Sequence, residues 1–301
     1  MLRMRAFLTL IFAMACVWPA ARGEMWSLRL PETGFMPSYA RASFVSRMHE
    51  RHGGSHMGVQ EYTLHVPFND PRQSRAGSWL FYMQGTATIT LMDVGGNLDL
   101  QKDELMLFAL PVTLIRPINE NERFMISVIP CYAGDGLDSA RAWDMAMMLD
   151  YHVKQSETFS YSLGLAASPR FASYVVAPYI SFAWQATPDW LVRMKGFQLT
   201  GLYSVTNHLR VGPSFSIEGG TWMVQTQDKQ MVFRTRMFAA SLVAEYDLPQ
   251  IAGSKGLLVA SVGTTVAGTA EFCKRGLRKK REVTYHYQPG VVVSLGADYR
   301  F

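Results

Sequence analysis

The sequence predicts an all-β fold: a single closed antiparallel transmembrane β-barrel of about twelve strands, within a range of roughly ten to fourteen. Three observations carry this. The final stretch, 283–301, alternates without a break. Val283, Tyr285, Tyr287, Val291, Val293, Leu295, Tyr299 and Phe301 share one parity; Thr284, His286, Gln288, Ser294, Gly296, Asp298 and Arg300 share the other, where only Val292 is apolar and large. A period of two marks a strand with one apolar and one polar face. Such a strand is long for a soluble protein, whose strands run to about 5–6 residues, but suits a bilayer, which takes about 9–11 tilted residues. Composition agrees: 49% of residues are hydrophobic and 18% charged, yet the mean hydropathy is only +0.02. A barrel sits at this middle value because only every second residue meets lipid. Finally, no stretch after residue 23 reaches the roughly 18 apolar residues of a spanning helix. The longest run, 105–115, is interrupted by Pro111 and Thr113.

The chain opens on an export signal. Arg3 and Arg5 precede an apolar core over 6–18, and Ala21-Arg22-Gly23 forms a small-x-small cleavage site, so 1–23 reads as a signal peptide. A lipoprotein-type cleavage before Cys16 competes with this, but it leaves a short apolar core with Ala13 where a larger aliphatic is favoured. Residues 24–56 carry Pro31, Gly34, Pro37 and a His-rich end, and read as an irregular arm, or a plug that folds into the lumen. The barrel is assigned to 57–301.

Within that span the alternating segments follow one another. Tyr62, Leu64, Val66 and Phe68 share a face until Asn69-Asp70-Pro71. The next strand runs over 79–91. Segments 105–116 and 124–132 flank the polar turn Asn119-Glu120-Asn121-Glu122. Strands over 142–153, 159–166 and 174–184 come next, then the breaker Thr187-Pro188-Asp189. Stretches 190–195, 209–217, 238–246 and 257–272 lead to the final strand. No helical period separates them, which gives an antiparallel array. Thr187-Pro188-Asp189 and Val205-Thr206-Asn207 both read as short turns of the same rim. Either one is a short loop of the opposite rim, or Gly196 holds a tight hairpin and the count rises.

The polar parity supplies the candidate lumen: Asp144, Asp150, His152, Arg193, Lys195, Arg210, Glu218, Asp298 and Arg300. These residues line an aqueous pore, or fill the interior with ion pairs as in small barrels. His49, His52 and His56 are spaced for one helical metal-binding face, but Gly53-Gly54 breaks a helix and only Glu50 is adjacent; a polar arm is the simpler reading. Asp150 neighbours His152 on a polar face, and His286 is a second lumen histidine, but neither has a Ser in a nucleophile motif. No metal-cluster spacing, phosphate-binding loop or nucleotide motif is present, so no cofactor is expected. The net charge of +5 and pI near 9.1 come largely from the leader and one late cluster, which argues against a nucleic-acid partner. Two cysteines remain after the leader, Cys131 and Cys273. They lie at opposite rims if twelve strands begin at Tyr62, and at one rim if Gly196 hides a hairpin.

Ser294, Gly296, Tyr299 and Phe301 resemble the C-terminal assembly signal of Gram-negative outer-membrane barrels: polar, x, Gly, x, x, hydrophobic, x, aromatic at the carboxyl end. The series from Pro169-Arg170-Phe171 through Pro178, Thr187-Pro188-Asp189-Trp190 and Tyr203 also resembles a family of uncharacterised outer-membrane barrels. The resemblance implies an outer-membrane location and recognition by the barrel-assembly machinery. The last strand then ends in the periplasm, which puts the basic run Lys274, Arg275, Arg278, Lys279, Lys280 and Arg281 in an outer loop, facing lipopolysaccharide phosphates. The expected function is a narrow channel or structural membrane protein rather than an enzyme. The alternative is an enzyme or surface adhesin acting through the outer loops, 274–281 and the polar stretch 219–230.

Overall fold

Each alternating run becomes a strand whose backbone groups pair on both sides, the only sheet arrangement that lipid tolerates. The computed structural model describes residues 38–300 except 71–74, 97, 99, 137–139, 169–174, 228, 250–254 and 275–280. The leader, the first part of the 24–56 arm and Phe301 lie outside the described residues.

The strands are β1 (Ser38–His49), β2 (His56–Pro67), β3 (Arg75–Ala76), β4 (Trp79–Gly95), β5 (Glu104–Ala109) and β6 (Val112–Pro117). They continue with β7 (Glu122–Gly134), β8 (Trp143–Lys154), β9 (Phe159–Ser168), β10 (Val175–Gln185), β11 (Trp190–Lys195) and β12 (Gln198–Ser204). The last are β13 (Leu209–Glu218), β14 (Thr221–Gln225), β15 (Gln230–Asp247), β16 (Lys255–Cys273), β17 (Arg281–Tyr287) and β18 (Val291–Arg300). Three staves consist of two segments each: β5 with β6, β13 with β14, and β17 with β18. With β3 a short stub on β4, the ring has fourteen antiparallel staves, closed by β18 on β1 from Ser38↔Tyr299 to Val45↔Val292.

The count of fourteen corrects the expected twelve at two places. Residues 38–49, read as part of the irregular arm, form a complete stave between β18 and β2. Its inward face carries Tyr39, Arg41 and Ser43, and its outward face only small residues before Phe44, so no clear polar–apolar alternation announces it. The second addition is the hairpin β11–β12, turned at Gly196 with φ +55°, a left-handed conformation that favours glycine. Both 186–189 and 205–208 therefore lie on one rim, as their turn chemistry required. That rim also holds the start of β1 and the end of β18; it is called the turn rim below, and the opposite one the loop rim.

Outward residues form the apolar belt: Phe44, Tyr62, Leu64, Ile89, Met147, Leu165, Phe215, Leu242 and Leu295 are all exposed. Inward residues of the same strands are buried and mostly polar, among them His65, Thr113, Ser127, Asp150, Thr200, Ser214 and Glu245.

The wall does not rise straight. Along one level it breaks in a series of adjacent staves. β13 gives way to β14 at Gly219-Gly220, with Gly219 at φ +129°, where a β-carbon would run into the Thr235 carbonyl. Next to it, β15 pairs Phe238 with Ala267 but Ala239 with Thr265, so Val266 bulges out of register. Beside that, β17 and β18 part over 288–290, and the gap is bridged by Thr265 N–H to the Gly290 carbonyl (2.8 Å) and Gly290 N–H to Thr265 Oγ1 (2.7 Å). Then β1 slips register between Val45 and Met48, where Val291 N–H donates to Ser46 Oγ (2.9 Å). These breaks form a continuous crease.

Candidate functional site

Two lumens of different chemistry meet at the crease. Below it, towards the turn rim, hydroxyls pair across neighbouring staves: Thr63 with Thr88 (3.1 Å), Thr113 with Ser127 (2.8 Å), Thr200 with Ser214 (3.1 Å) and Ser261 with Ser294 (2.6 Å). His65 Nδ1 lies 2.8 Å from Thr86 Oγ1, and its ring stacks on Tyr39 at 4.8 Å. Charges gather on the other side. Glu245 is fully buried and ion-pairs with Arg193; Arg210 stands 3.8 Å from Glu245 and 3.1 Å from Asp247. Arg193 and Arg210 keep 36% and 26% of their side chains exposed, so these guanidiniums look into open space while their carboxylate partner sits in the wall. Arg41, also inward, rides 5.9 Å from the Tyr39 ring centre.

Of the lumen candidates, Asp144, Asp150, His152, Arg193, Lys195, Arg210, Glu218 and Asp298 stand at positions of inward parity. Arg193 and Arg210 meet at Glu245, and the rest do not converge on them. Lys195 is exposed at the β11–β12 tip, Glu218 accepts from Ser216 Oγ (3.1 Å) just below the crease, and Asp298 lies opposite Tyr39 at the turn rim. Arg300 is opposite Lys255, and its side chain lies outside the described residues. Asp150 and His152 do meet a serine: His152 Nδ1 is 3.1 Å from Ser162 Oγ, and Ser162 also hydrogen-bonds Asp150. The carboxylate thus engages the hydroxyl, whereas a nucleophile–base–orienter relay would place it on the imidazole. The trio is a buried polar contact of the wall rather than a relay.

Of the assembly-signal residues, Ser294 and Gly296 face inward and Tyr299 faces outward. Of the basic run, Lys274 is exposed; Arg275, Arg278, Lys279, Lys280 and the Arg281 side chain lie outside the described residues. His49 and His56 pair across the β1–β2 hairpin with rings 6.3 Å apart, and no metal-binding group occurs among the described residues.

Above the crease the lumen becomes apolar, and the cause is topological. β8 begins at Trp143, opposite Tyr132, and β12 begins at Gln198, opposite Ser216. Beyond those levels β7 and β14 have bare edges facing each other across the barrel, and they pair in parallel at Met223↔Gly134. Staves β8 to β13 are left outside this upper ring, which runs β7, β5, β4, β2, β1, β17, β16, β15, β14 and back to β7. A ring of nine has little more bore than one of about eight, which side chains fill completely. Here they do. Trp222, Phe233, Phe272 and Tyr285 form a ladder with ring centres 6.3, 5.0 and 6.5 Å apart, facing Met48, Met57, Met92 and Leu105. All eight are buried and belong to one cluster.

This apolar neck was missed in the sequence, where 219–230 reads as a polar outer loop. Instead, Thr221–Gln225 form β14, paired with β15, and bury Trp222, Met223 and Val224 in the neck, while Gln227, Lys229 and Gln230 are exposed at the tip. The available signal is the loss of alternation: Trp222-Met223-Val224 and Met231-Val232-Phe233 are consecutive apolar residues, the pattern of strands buried on both faces. The other face of β15 and β16 carries Arg234 and Arg236 at 4.0 and 3.7 Å from Glu271, also buried.

Several solved barrels are similar over most of their length. An outer membrane channel from Pseudomonas putida F1 matches at a TM-score of 0.39 and 11% identity, covering 89% of this chain and 97% of that one. A FadL homologue from Pseudomonas aeruginosa matches at 0.41 and 12%, over 88% and 89%. The toluene transporter TodX of P. putida matches at 0.37 and 10%, over 89% and 91%. No curated protein sequence matches. A family model described as a domain of unknown function, DUF6268, matches residues 38–300, and the chain belongs to that family.

Proposed function

We propose that this protein is a channel of the Gram-negative outer membrane, held shut at its outer end by the apolar neck. The observation that carries the reading is the meeting of a wide polar lumen with a narrow apolar one in a single bore. An apolar constriction closes a pore by shedding water, without any need to block it sterically at all times. Below it, Arg193, Arg210, Glu245 and Asp247 give the lumen both signs of charge. Mixed signs favour weak ion selectivity and passage of small polar solutes.

The resemblance of the C-terminus to an assembly signal orients the barrel, with the turn rim in the periplasm and the loop rim outside. Outer-leaflet lipid and lipopolysaccharide are then the partners of the apolar belt and of the basic loop 274–281, and the assembly machinery is the partner during insertion. An enzymatic or adhesive role would rest on outer loops, and the 219–230 segment is occupied in closing the neck.

Conductance of the mature protein, refolded into planar bilayers, tests the reading. Wild type is expected to show infrequent, weakly selective steps. Met57→Gln, which lets water wet the neck, is expected to conduct steadily. Removal of 24–37, the part of the arm that precedes the first stave, separates a plug from the neck: steady steps on its removal alone would shift the closure to the arm. No steps from any of the three, with folding verified by heat-modifiable migration, would sink the channel.

A further inference from the structure

The neck is shut by a part of the wall that is hinged on one side and barely fastened on the other. From this we infer that the upper parts of β14, β15, β16 and β17 form a flap that swings about the crease and opens the channel at the β14–β7 seam. The inference rests on the channel reading and names its moving part.

Both side edges of the flap are weakly fastened. Among the described residues of the upper ring, β4 and β5 share six registered pairs, β16 and β17 six and β5 and β7 four. β17 meets β1 at the single bridge Glu50↔Tyr287, flanked by two backbone bonds, and β14 and β7 share one pair, Met223↔Gly134. Two further bonds help: the Gln225 N–H donates to Asp135 Oδ2 (2.6 Å), and the Gln101 N–H donates to the Gln225 carbonyl (3.4 Å). The hinged side is the crease, where β14 parts from β13, β16 bulges at Val266, β17 parts from β18 and the neighbouring β1 slips register, while β15 runs through unbroken. Breaks in one strand are common, but breaks aligned across adjacent strands let a sheet fold along a line without tearing its ladders.

The packing divides in the same way. The ladder Trp222–Phe233–Phe272–Tyr285 lies wholly within the flap, so its ring contacts survive a rotation. What the rotation separates is the flap from Met57, Met92 and Leu105 on β2, β4 and β5. Methionine, unbranched and polarizable, adapts to a changed partner at lower cost than a shaped aromatic contact. The flap therefore moves as a preassembled sheet away from a compliant wall.

Two manipulations of opposite sign test this. Gly134→Val crowds the seam, since a β-carbon there would stand 3.0 Å from the Ala142 Cβ and 3.3 Å from the Met223 carbonyl. It is expected to raise the open fraction in bilayers by about fivefold or more, the shift for net loss of one hydrogen bond. Asp135→Ala, which removes the acceptor for Gln225, should shift it the same way. A cysteine pair, Asp135→Cys with Val224→Cys, is next in register to Met223↔Gly134 and should oxidise readily with Cys131 and Cys273 replaced by Ala. Oxidation should abolish conductance, and reduction should restore it. The flap is overturned if the folded pair fails to oxidise, if the oxidised protein conducts as before, or if Gly134→Val, shown to be folded, gates like wild type. Any of these with a conducting wild type leaves the channel standing; a silent wild type together with a silent Gly134→Val removes both.

Discussion

Phe233 is the residue on which the neck depends most directly, and replacing it by Ala gives a quantitative test. Its ring is fully buried, between Trp222 at 6.3 Å and Phe272 at 5.0 Å. Truncating a packed Phe costs about 3–5 kcal/mol, the transfer term plus a cavity that neighbours only partly refill. Each lost aromatic pair accounts for about 0.5–1.5 kcal/mol of specific ring–ring attraction. The upper half of the range is expected here because the ring has aromatic neighbours on both sides. Adaptable methionines across the neck can sag into the space and pull the value down, so the loss should come to about 4 kcal/mol. The assay is urea unfolding of protein reconstituted in lipid vesicles, followed by tryptophan fluorescence, with conductance on the same preparation. The variant should unfold at lower urea and leak constitutively. A loss under about 1 kcal/mol with unchanged conductance would mean that Phe233 is not packed inside a closed neck.

Leu242→Arg places a charge on the lipid face midway along β15, where Leu242 is exposed, and should cost about 2–4 kcal/mol; a loss below about 0.5 kcal/mol would take Leu242 off that face. Glu245→Ala leaves Arg193 and Arg210 without the carboxylate between them. The expected loss is about 3 kcal/mol, at the low end for a buried pair because Arg193 retains 36% exposure, with Glu245→Gln milder; equal losses for both variants would refute a charge-specific role. Cys131 and Cys273 are buried and unbridged, so neither should react with maleimide in the folded protein and both should on unfolding; rapid labelling before unfolding would contradict their burial.

Alternation made most of the ring legible in the sequence, because lipid enforces it on each spanning strand independently of the neighbours. Tyr62, Leu64 and Val66 announce their stave without any knowledge of the strands beside it. β1 escaped because Ser38, Ala40 and Ala42 are small on the face that meets lipid, and hydropathy separates such residues poorly from polar ones. The β11–β12 hairpin was foreseen only as one of two ways to reconcile two turns, since a two-residue turn at Gly196 leaves little mark of its own. The polar lumen follows from the parity that reveals the strands. The neck does not, because it depends on which edges are left bare when β8 and β12 start low. That is a relation between strands about ninety residues apart, and Met223 meets Gly134 only once the whole ring has been laid out.

The adjacency of the first and last staves has its own consequence. Ser38 lies opposite Tyr299, so the last stave zips onto the first and the ring itself has no beginning. A short linker from the end of β18 to the start of β1, with a new break at the exposed turn Pro188-Asp189, should preserve every pairing in the barrel. Such a permuted chain would keep the architecture while losing its terminal Tyr299 and Phe301. If the C-terminus acts as the proposed assembly signal, folding into detergent and delivery to the membrane would then come apart, because the first is encoded all round the circle and the second in the last stave alone.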